Sequence, residues 1–181
     1  VTIPEGLISL EVAALLNVAP GLKGTSPIPA EGSILPETYS YQFGESRADV
    51  LQRMSKAMEK VIAKLWSDRK TGLPISSPFE AVILASIVEK ETGVREERSR
   101  IAGVFFNRLR RGMRLQSDPT VAYAVTNGKR LLGRSLTRKD LNATHPYNTY
   151  RIEGLPPGPI SNPGRAALVA TLNPLETEEL Y

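Results

Sequence analysis

From Ser77 to Gly93 the chain holds an apolar helix whose last turn carries two carboxylates, Glu89 and Glu91. Its ends are legible. Ser77 is placed to cap it, Pro78 suits the first helical position because its missing N–H would be unpaired there anyway, and Glu80 is spaced to close a capping box. Gly93 stands where a left-handed C-terminal residue is wanted. The aliphatic run from Ala81 to Val88, with only Ser86 inside it, is far too short to cross a bilayer, which takes ~20 residues. It belongs to the core of a folded domain.

The two carboxylates differ in placement. Two residues apart at ~100° per residue, they point to nearly opposite sides and cannot face one reacting bond together. Glu91 follows Leu84, Ile87 and Val88 on the apolar face, whereas Glu89 lies nearer Val82, Ala85 and Ser86. A carboxylate among aliphatic groups, at the negative end of a helix dipole, holds its proton more tightly than a solvated one. That is how a general acid is made, and it selects Glu91. The competing reading is a solvated surface group, the usual occupant of a final helical turn.

At 181 residues the chain is one domain, or one with a small appendage. Cys is absent, which excludes thiolate zinc sites, disulfide scaffolds and a Cys nucleophile. The only histidine, His145, precedes Pro146 in a loop-like stretch and reads as a surface or hydrogen-bonding residue. Neither a metal nor a cofactor is expected. The net charge of +4, from 23 basic and 19 acidic residues, is too mild to imply nucleic-acid binding by itself. Arginines 95, 98, 100, 108, 110, 111 and 114 do cluster, which suits either an anionic partner such as a carboxylate-bearing polymer or a solvated helix face. The chain opens without Met, shows no signal peptide and stops in mid-pattern at Tyr181, so it reads as a piece of a longer protein.

Along the chain, residues 1–45 look like a small unit. Val1–Ile3 suits a strand, Pro4-Glu5-Gly6 a turn, and Ser9 caps a short helix to Leu16. Residues 20–37, rich in Pro and Gly, form a linker or binding loop. Ser46 and Asp49 open a long amphipathic helix to about Trp66. Further helices are expected from Glu96 to Arg111 with Gly112 ending it, from Asp118-Pro119, from a Thr137–Asp140 capping box, and from Asn162-Pro163 to Asn173-Pro174. Other strand candidates are Tyr39–Phe43 and Tyr150–Ile152. The expected class is α+β, with a mostly helical catalytic body over 46–181 and a few short strands.

Several separated stretches together resemble one family. They are Ala85-Ser86-Ile87-Val88-Glu89-Lys90-Glu91-Thr92, Glu97-Arg98, Val104-Phe105-Phe106-Asn107-Arg108-Leu109 and Gly112 to Val121. Tyr147-Asn148-Thr149-Tyr150 and Gly154-Leu155-Pro156-Pro157-Gly158-Pro159-Ile160 follow in order, with Glu31-Gly32 and Leu35 to Tyr39 upstream. This set is similar to the endolytic murein transglycosylases, the YceG-like family, over essentially the whole chain.

The resemblance implies a protein tethered by one N-terminal helix to the extracytoplasmic (periplasmic) face of the cytoplasmic membrane. It would cut nascent peptidoglycan strands internally, with peptidoglycan synthases as partners. Residues 1–16 are similar to part of a LysM-like glycan-binding unit, and the family's catalytic glutamate falls on Glu91. One acid suffices for such chemistry. Hydrolytic glycosidases pair two carboxylates ~5–9.5 Å apart because one must activate water or attack the sugar. A lytic transglycosylase uses the sugar's own C6 hydroxyl instead, an intramolecular attack that gains greatly from orientation. Gln116, Asp118, Thr120, Tyr147, Asn148, Thr149 and Tyr150 are the polar and aromatic loop residues suited to position a glycan. Arg98 would be half-buried against Glu89 or Glu91, or would reach a peptide-stem carboxylate. The main rival is a non-catalytic cell-wall binding module; a nucleic-acid-binding protein ranks well behind.

Overall fold

The computed structural model describes residues 1–181. Seven α-helices make up the regular structure: α1 (Ser9–Val18), α2 (Arg47–Ser67), α3 (Pro78–Glu91), α4 (Arg98–Arg110), α5 (Asp118–Thr126), α6 (Arg138–Asn142) and α7 (Arg165–Leu172). A single 3₁₀ turn, Arg95–Glu97, leads into α4.

α3 is the axis of the molecule. Every residue from Ala81 to Glu89 is buried, and α2, α4, α5 and α7 all pack on it. A helix apolar all round has to be enclosed this way. Ser86, the one hydroxyl in its aliphatic run, donates to Ile83 O (2.7 Å) and accepts from Ile160 N (3.0 Å), so it pins the 160 segment to the helix. Leu84, Ile87 and Val88 face Phe105, Phe106 and Leu115, while Val82 and Ala85 join Met58, Val61 and Leu168. A further cluster binds α1 to the start of α2 through Val12, Leu16, Ile34, Val50 and Met54.

The expected strands are absent. Only two isolated bridges form, Thr2 with Thr38 and Lys23 with Ser46, so the chain is mostly helical rather than α+β. Val1–Ile3 does bond across to the 37–39 segment, through Ile3 N to Glu37 O (3.1 Å) and Tyr39 N to Val1 O (2.8 Å). Pro4 and Pro36 flank the pairing, and a residue without an N–H cannot extend a ladder. Tyr39–Phe43 builds no ladder beyond this. Tyr150–Ile152 is a turn organised by Asn148, whose backbone oxygen accepts from Arg151 N (2.9 Å) and Ile152 N (3.1 Å).

The helix ends largely follow their local chemistry. Ser46 Oγ accepts from Asp49 N (3.0 Å) and Thr137 Oγ1 from Asp140 N (3.2 Å). At α3 the cap is Ser77, accepting from Glu80 N (3.2 Å), but Glu80 reaches past it to Ser76 N (2.6 Å). Gly93 is not left-handed. The chain leaves α3 extended at Thr92, whose hydroxyl accepts from Val94 N (2.9 Å) and donates to Glu97 (2.8 Å). Ser9 does not cap α1 either. Its hydroxyl goes to Ala30 O and Glu31, while Glu11 accepts from Ile8 N (3.1 Å). No helix is long and apolar enough to cross a membrane.

Candidate active site

The last turn of α3 sends its two carboxylates into different worlds. Glu89 is buried, its side chain only 4% exposed. It accepts from Arg98 Nη2 (2.8 Å) and from Gly164 N (2.9 Å) at the start of α7. Burial raises its pKa, against the opposing pull of the Gly164 N–H and the Arg98 charge. Arg98 also stands 3.5 Å from Glu5, which lies against the Gly164 backbone.

Glu91 faces solvent. Its Oε2 accepts from the Ser117 hydroxyl (2.8 Å), and Oε1 has no protein partner. It lines a cleft of about 290 Å³ with Ile101, Val104 and Phe105 of α4 and with Leu115 and Gln116. The burial expected at Glu91 therefore falls on Glu89. Thr92 turns the chain away directly after Glu91, so the apolar face that holds Leu84, Ile87 and Val88 ends at the cleft wall. Two other carboxylates are near. Glu97 shares the cleft and accepts from the Thr92 hydroxyl, while Asp118, one residue beyond Ser117, accepts from the Tyr150 hydroxyl (2.6 Å).

The loop that carries Ser117 is held from beneath. Gln116 has φ +52°, a left-handed conformation that costs a non-glycine residue about 1–2 kcal/mol. Thr149 holds it there with its backbone and its side chain: Gln116 N donates to Thr149 O (3.2 Å) and Ser117 N to Thr149 Oγ1 (3.0 Å). Thr120 Oγ1 donates to Ser117 O (2.7 Å) and lies 2.8 Å from Thr149 Oγ1. Arg108, buried on α4, donates to Leu115 O (2.7 Å) and to Leu180 O (2.6 Å), fixing the loop and the C-terminal segment to one helix.

The residues expected to contact substrate therefore divide. Gln116 and Asp118 are exposed, and Tyr150 is half-buried with its phenol pushed up to about 12 by burial and by the Asp118 bond. Tyr147 is half-buried beside Tyr123, ring centroids 4.9 Å apart. Thr120, Asn148 and Thr149 are corrections: all three are fully enclosed and spend their polar atoms on the protein. Asn148 Nδ2 donates to Ala143 O (2.8 Å) and Leu141 O (3.0 Å), and its Oδ1 accepts from Tyr150 N (3.0 Å). Arg98 is likewise buried and paired with Glu89 and Glu5.

Sequence reasoning missed Ser117 and Arg108 as individuals. Ser117 carries no signal of its own, being one small polar residue in a polar loop. Arg108, three residues after Phe105, does stand on the apolar side of its helix. A third missed group is Glu31, whose carboxylate accepts from Ser9 N (2.9 Å), Ser9 Oγ (3.0 Å) and Asn162 Nδ2 (3.2 Å). It ties the N-terminal segment to the helical body. Beyond Asp118 a hollow of about 380 Å³, lined by Lys90, Tyr123, Leu131 and Ile160, continues the surface on the far side of the loop.

A buried helix delivers one solvent-facing Glu to a loop hydroxyl on a mostly helical body. The sequence profile of the YceG-like family matches residues 1–181, and the chain belongs to that family. It is similar to the endolytic murein transglycosylase of Bacillus subtilis (strain 168), with 38% identity over 154 residues, 84% of this chain and 41% of the relative. The endolytic murein transglycosylase of Streptococcus pneumoniae serotype 2 (strain D39) is 35% identical over 186 residues, 98% of this chain and 32% of the relative. The chain thus spans about a third to two fifths of the length of these curated relatives. The crystal structure of a YceG-like protein from Listeria monocytogenes superposes with a TM-score of 0.79 at 32% identity, covering 99% of this chain and 67% of that one.

Proposed function

We propose that this chain is the catalytic part of a lytic transglycosylase that cleaves the β-1,4 bond between N-acetylmuramic acid and N-acetylglucosamine inside peptidoglycan strands. The observation that carries the reading is Glu91, the carboxylate at the end of the central buried helix, which lines a cleft and has one oxygen held by Ser117 and the other without a protein partner. Its relatives' names add weight, since both are called endolytic murein transglycosylases.

The chemistry runs on one proton. Glu91 gives it to the glycosidic oxygen as the bond from that oxygen to C1 of the muramic residue breaks. The C6 hydroxyl of the same residue then closes on C1, and its proton returns to Glu91. The product is a 1,6-anhydro end. The exposed Gln116 and Asp118 and the half-buried Tyr150 orient the sugars in this reading, and the half-buried Tyr147 adds an aromatic surface. No step calls for a cofactor.

The proposal extends, by resemblance to the family, to the rest of the protein. Residues 1–45 serve as a LysM-like portion that adds glycan contacts, and 46–181 as the catalytic portion. The whole protein acts at the outer face of the cytoplasmic membrane, anchored by a preceding helix, beside peptidoglycan synthases.

Cleavage of uncrosslinked glycan strands by the full protein in water enriched in heavy oxygen tests this. No label on the new muramyl end, no new borohydride-reducible terminus and loss of turnover in Glu91→Gln are expected. Labelled, reducible ends would mean hydrolysis, and Glu97→Gln and Asp118→Asn would then identify the water-activating base.

A further inference from the structure

We infer that Ser117 is the positioning residue that decides which oxygen of Glu91 carries the proton. The inference builds on the reading of Glu91 as the acid and adds a partner whose role no relative's name supplies.

The hydrogen-bond pattern is one-directional. Ser117 Oγ lies 2.8 Å from Glu91 Oε2 and has no other partner, so its proton is committed to that oxygen. An ionised carboxylate can only accept, and a protonated one offers its best remaining lone pairs on the oxygen without the proton. The Ser117 bond therefore favours Oε1 as the oxygen that takes up and holds the proton. Oε1 is the oxygen with no protein partner, on a residue that lines the cleft with Gln116 and Leu115. Oε1 releases the proton to the leaving oxygen and receives it again from the C6 hydroxyl, while Oε2 stays fixed. The carboxyl need not rotate between the two halves of the cycle.

Ser117 can do this because it does not move. It is 1% exposed, follows the left-handed Gln116, and is held through its own N–H by Thr149 Oγ1 (3.0 Å) and through its C=O by Thr120 (2.7 Å). Two buried threonines thus set a serine, and the serine sets the acid. This gives Thr120 and Thr149 a place in the site without any contact with glycan.

The other charged or titratable groups facing Glu91 are Glu97 and Arg100 from the turn and helix beside it, Arg108 from deeper in α4, Tyr181 from the C-terminal segment, and Asp118 with Tyr150 from the opposing loops. None of them bonds to the Ser117 hydroxyl, whose one partner is Glu91, so a change at that hydroxyl tests this bond.

The test is steady-state cleavage of uncrosslinked glycan strands by the full protein and its Glu91→Gln, Ser117→Ala and Ser117→Thr variants, each with its melting temperature recorded. Ser117→Ala should lose about 10- to 100-fold in kcat, the span of one hydrogen bond to a charged group, with KM within about twofold. Ser117→Thr, which keeps the hydroxyl, should recover most of the rate. An inactive Glu91→Gln beside a Ser117→Ala of normal kcat would overturn this inference alone. So would a loss that Ser117→Thr fails to rescue, or one that falls on KM rather than kcat, since that is what a merely structural serine would give. A fully active Glu91→Gln would overturn the assignment of the acid, and this inference with it.

Discussion

Replacing Arg98 with Met separates its two possible roles, because only one of them predicts a large loss of stability. In the structure the Arg98 and Glu89 side chains are 9% and 4% exposed, and their 2.8 Å contact is the main reason a charge can sit there. Removing one partner of such a pair costs about 3–5 kcal/mol, since the other is left buried and uncompensated. Two features reduce the figure here. Gly164 N still donates to Glu89 at 2.9 Å, and the Glu89 carboxyl, already raised by burial, can take up a proton. An expected loss of about 2–4 kcal/mol follows. For a chain of this size that lowers Tm by roughly 5–15 °C. The loss should shrink as the pH is lowered, because an unpaired Glu89 then becomes neutral, and the Glu89→Gln/Arg98→Met double variant should recover part of it. Thermal unfolding followed by circular dichroism at several pH values gives the stability arm; glycan cleavage below the transition gives KM. An Arg98→Met protein with unchanged Tm and a raised KM would refute the argument and return Arg98 to the substrate.

Two further changes probe the frame of the site. Asn148→Ala removes three short hydrogen bonds, to Ala143, to Leu141 and from Tyr150, at about 1 kcal/mol each, so Tm should fall by about 6–12 °C; intact stability with impaired substrate binding would instead put Asn148 on the glycan. Glu31 has its pKa raised above the ordinary 4.5, chiefly by burial, so it favours the fold most below that value and the contribution is lost as pH rises through the folded pKa. Urea unfolding between pH 4 and 7 should therefore show the stability of the wild type falling relative to Glu31→Gln as pH increases, and the opposite slope would contradict this.

What was legible in the sequence is what local chemistry decides. The caps at Ser46, Ser77 and Thr137 are short-range bonds between residues three apart, and the unbroken apolar run of α3 left burial as its only outcome. Glu89 and Glu91 do face apart, as a spacing of two requires. Which of them is buried was not legible. That depends on Gly164, 75 residues away in sequence, and on an arginine that the sequence could equally assign to solvent. The loop residues misled for a related reason. Hydroxyls and amides that hold a sugar are the same groups that satisfy a tight loop, and Thr120, Asn148 and Thr149 are used for the second task. The strand expected at Val1–Ile3 failed because prolines flank its pairing with the 37–39 segment.

The last turn of α3 connects these observations. On the Glu89 side it gathers Glu5, Arg98 and the start of α7, and between the two carboxylates Lys90 donates to Gly6 O (3.2 Å). Gly6 N in turn donates to Asn162 O (2.9 Å), whose side chain also meets Glu31. The N-terminal segment is therefore fastened to the same turn that presents Glu91, by bonds that are buried or half-buried and correspondingly hard to exchange for water. Glu91 itself has one bond. On the proposed reading of Glu91, an acid that gives and then retakes a proton needs a fixed backbone, one fixed oxygen and one free one. Rigid packing on one side of a helical turn, with a single hydroxyl on the other, meets all three conditions.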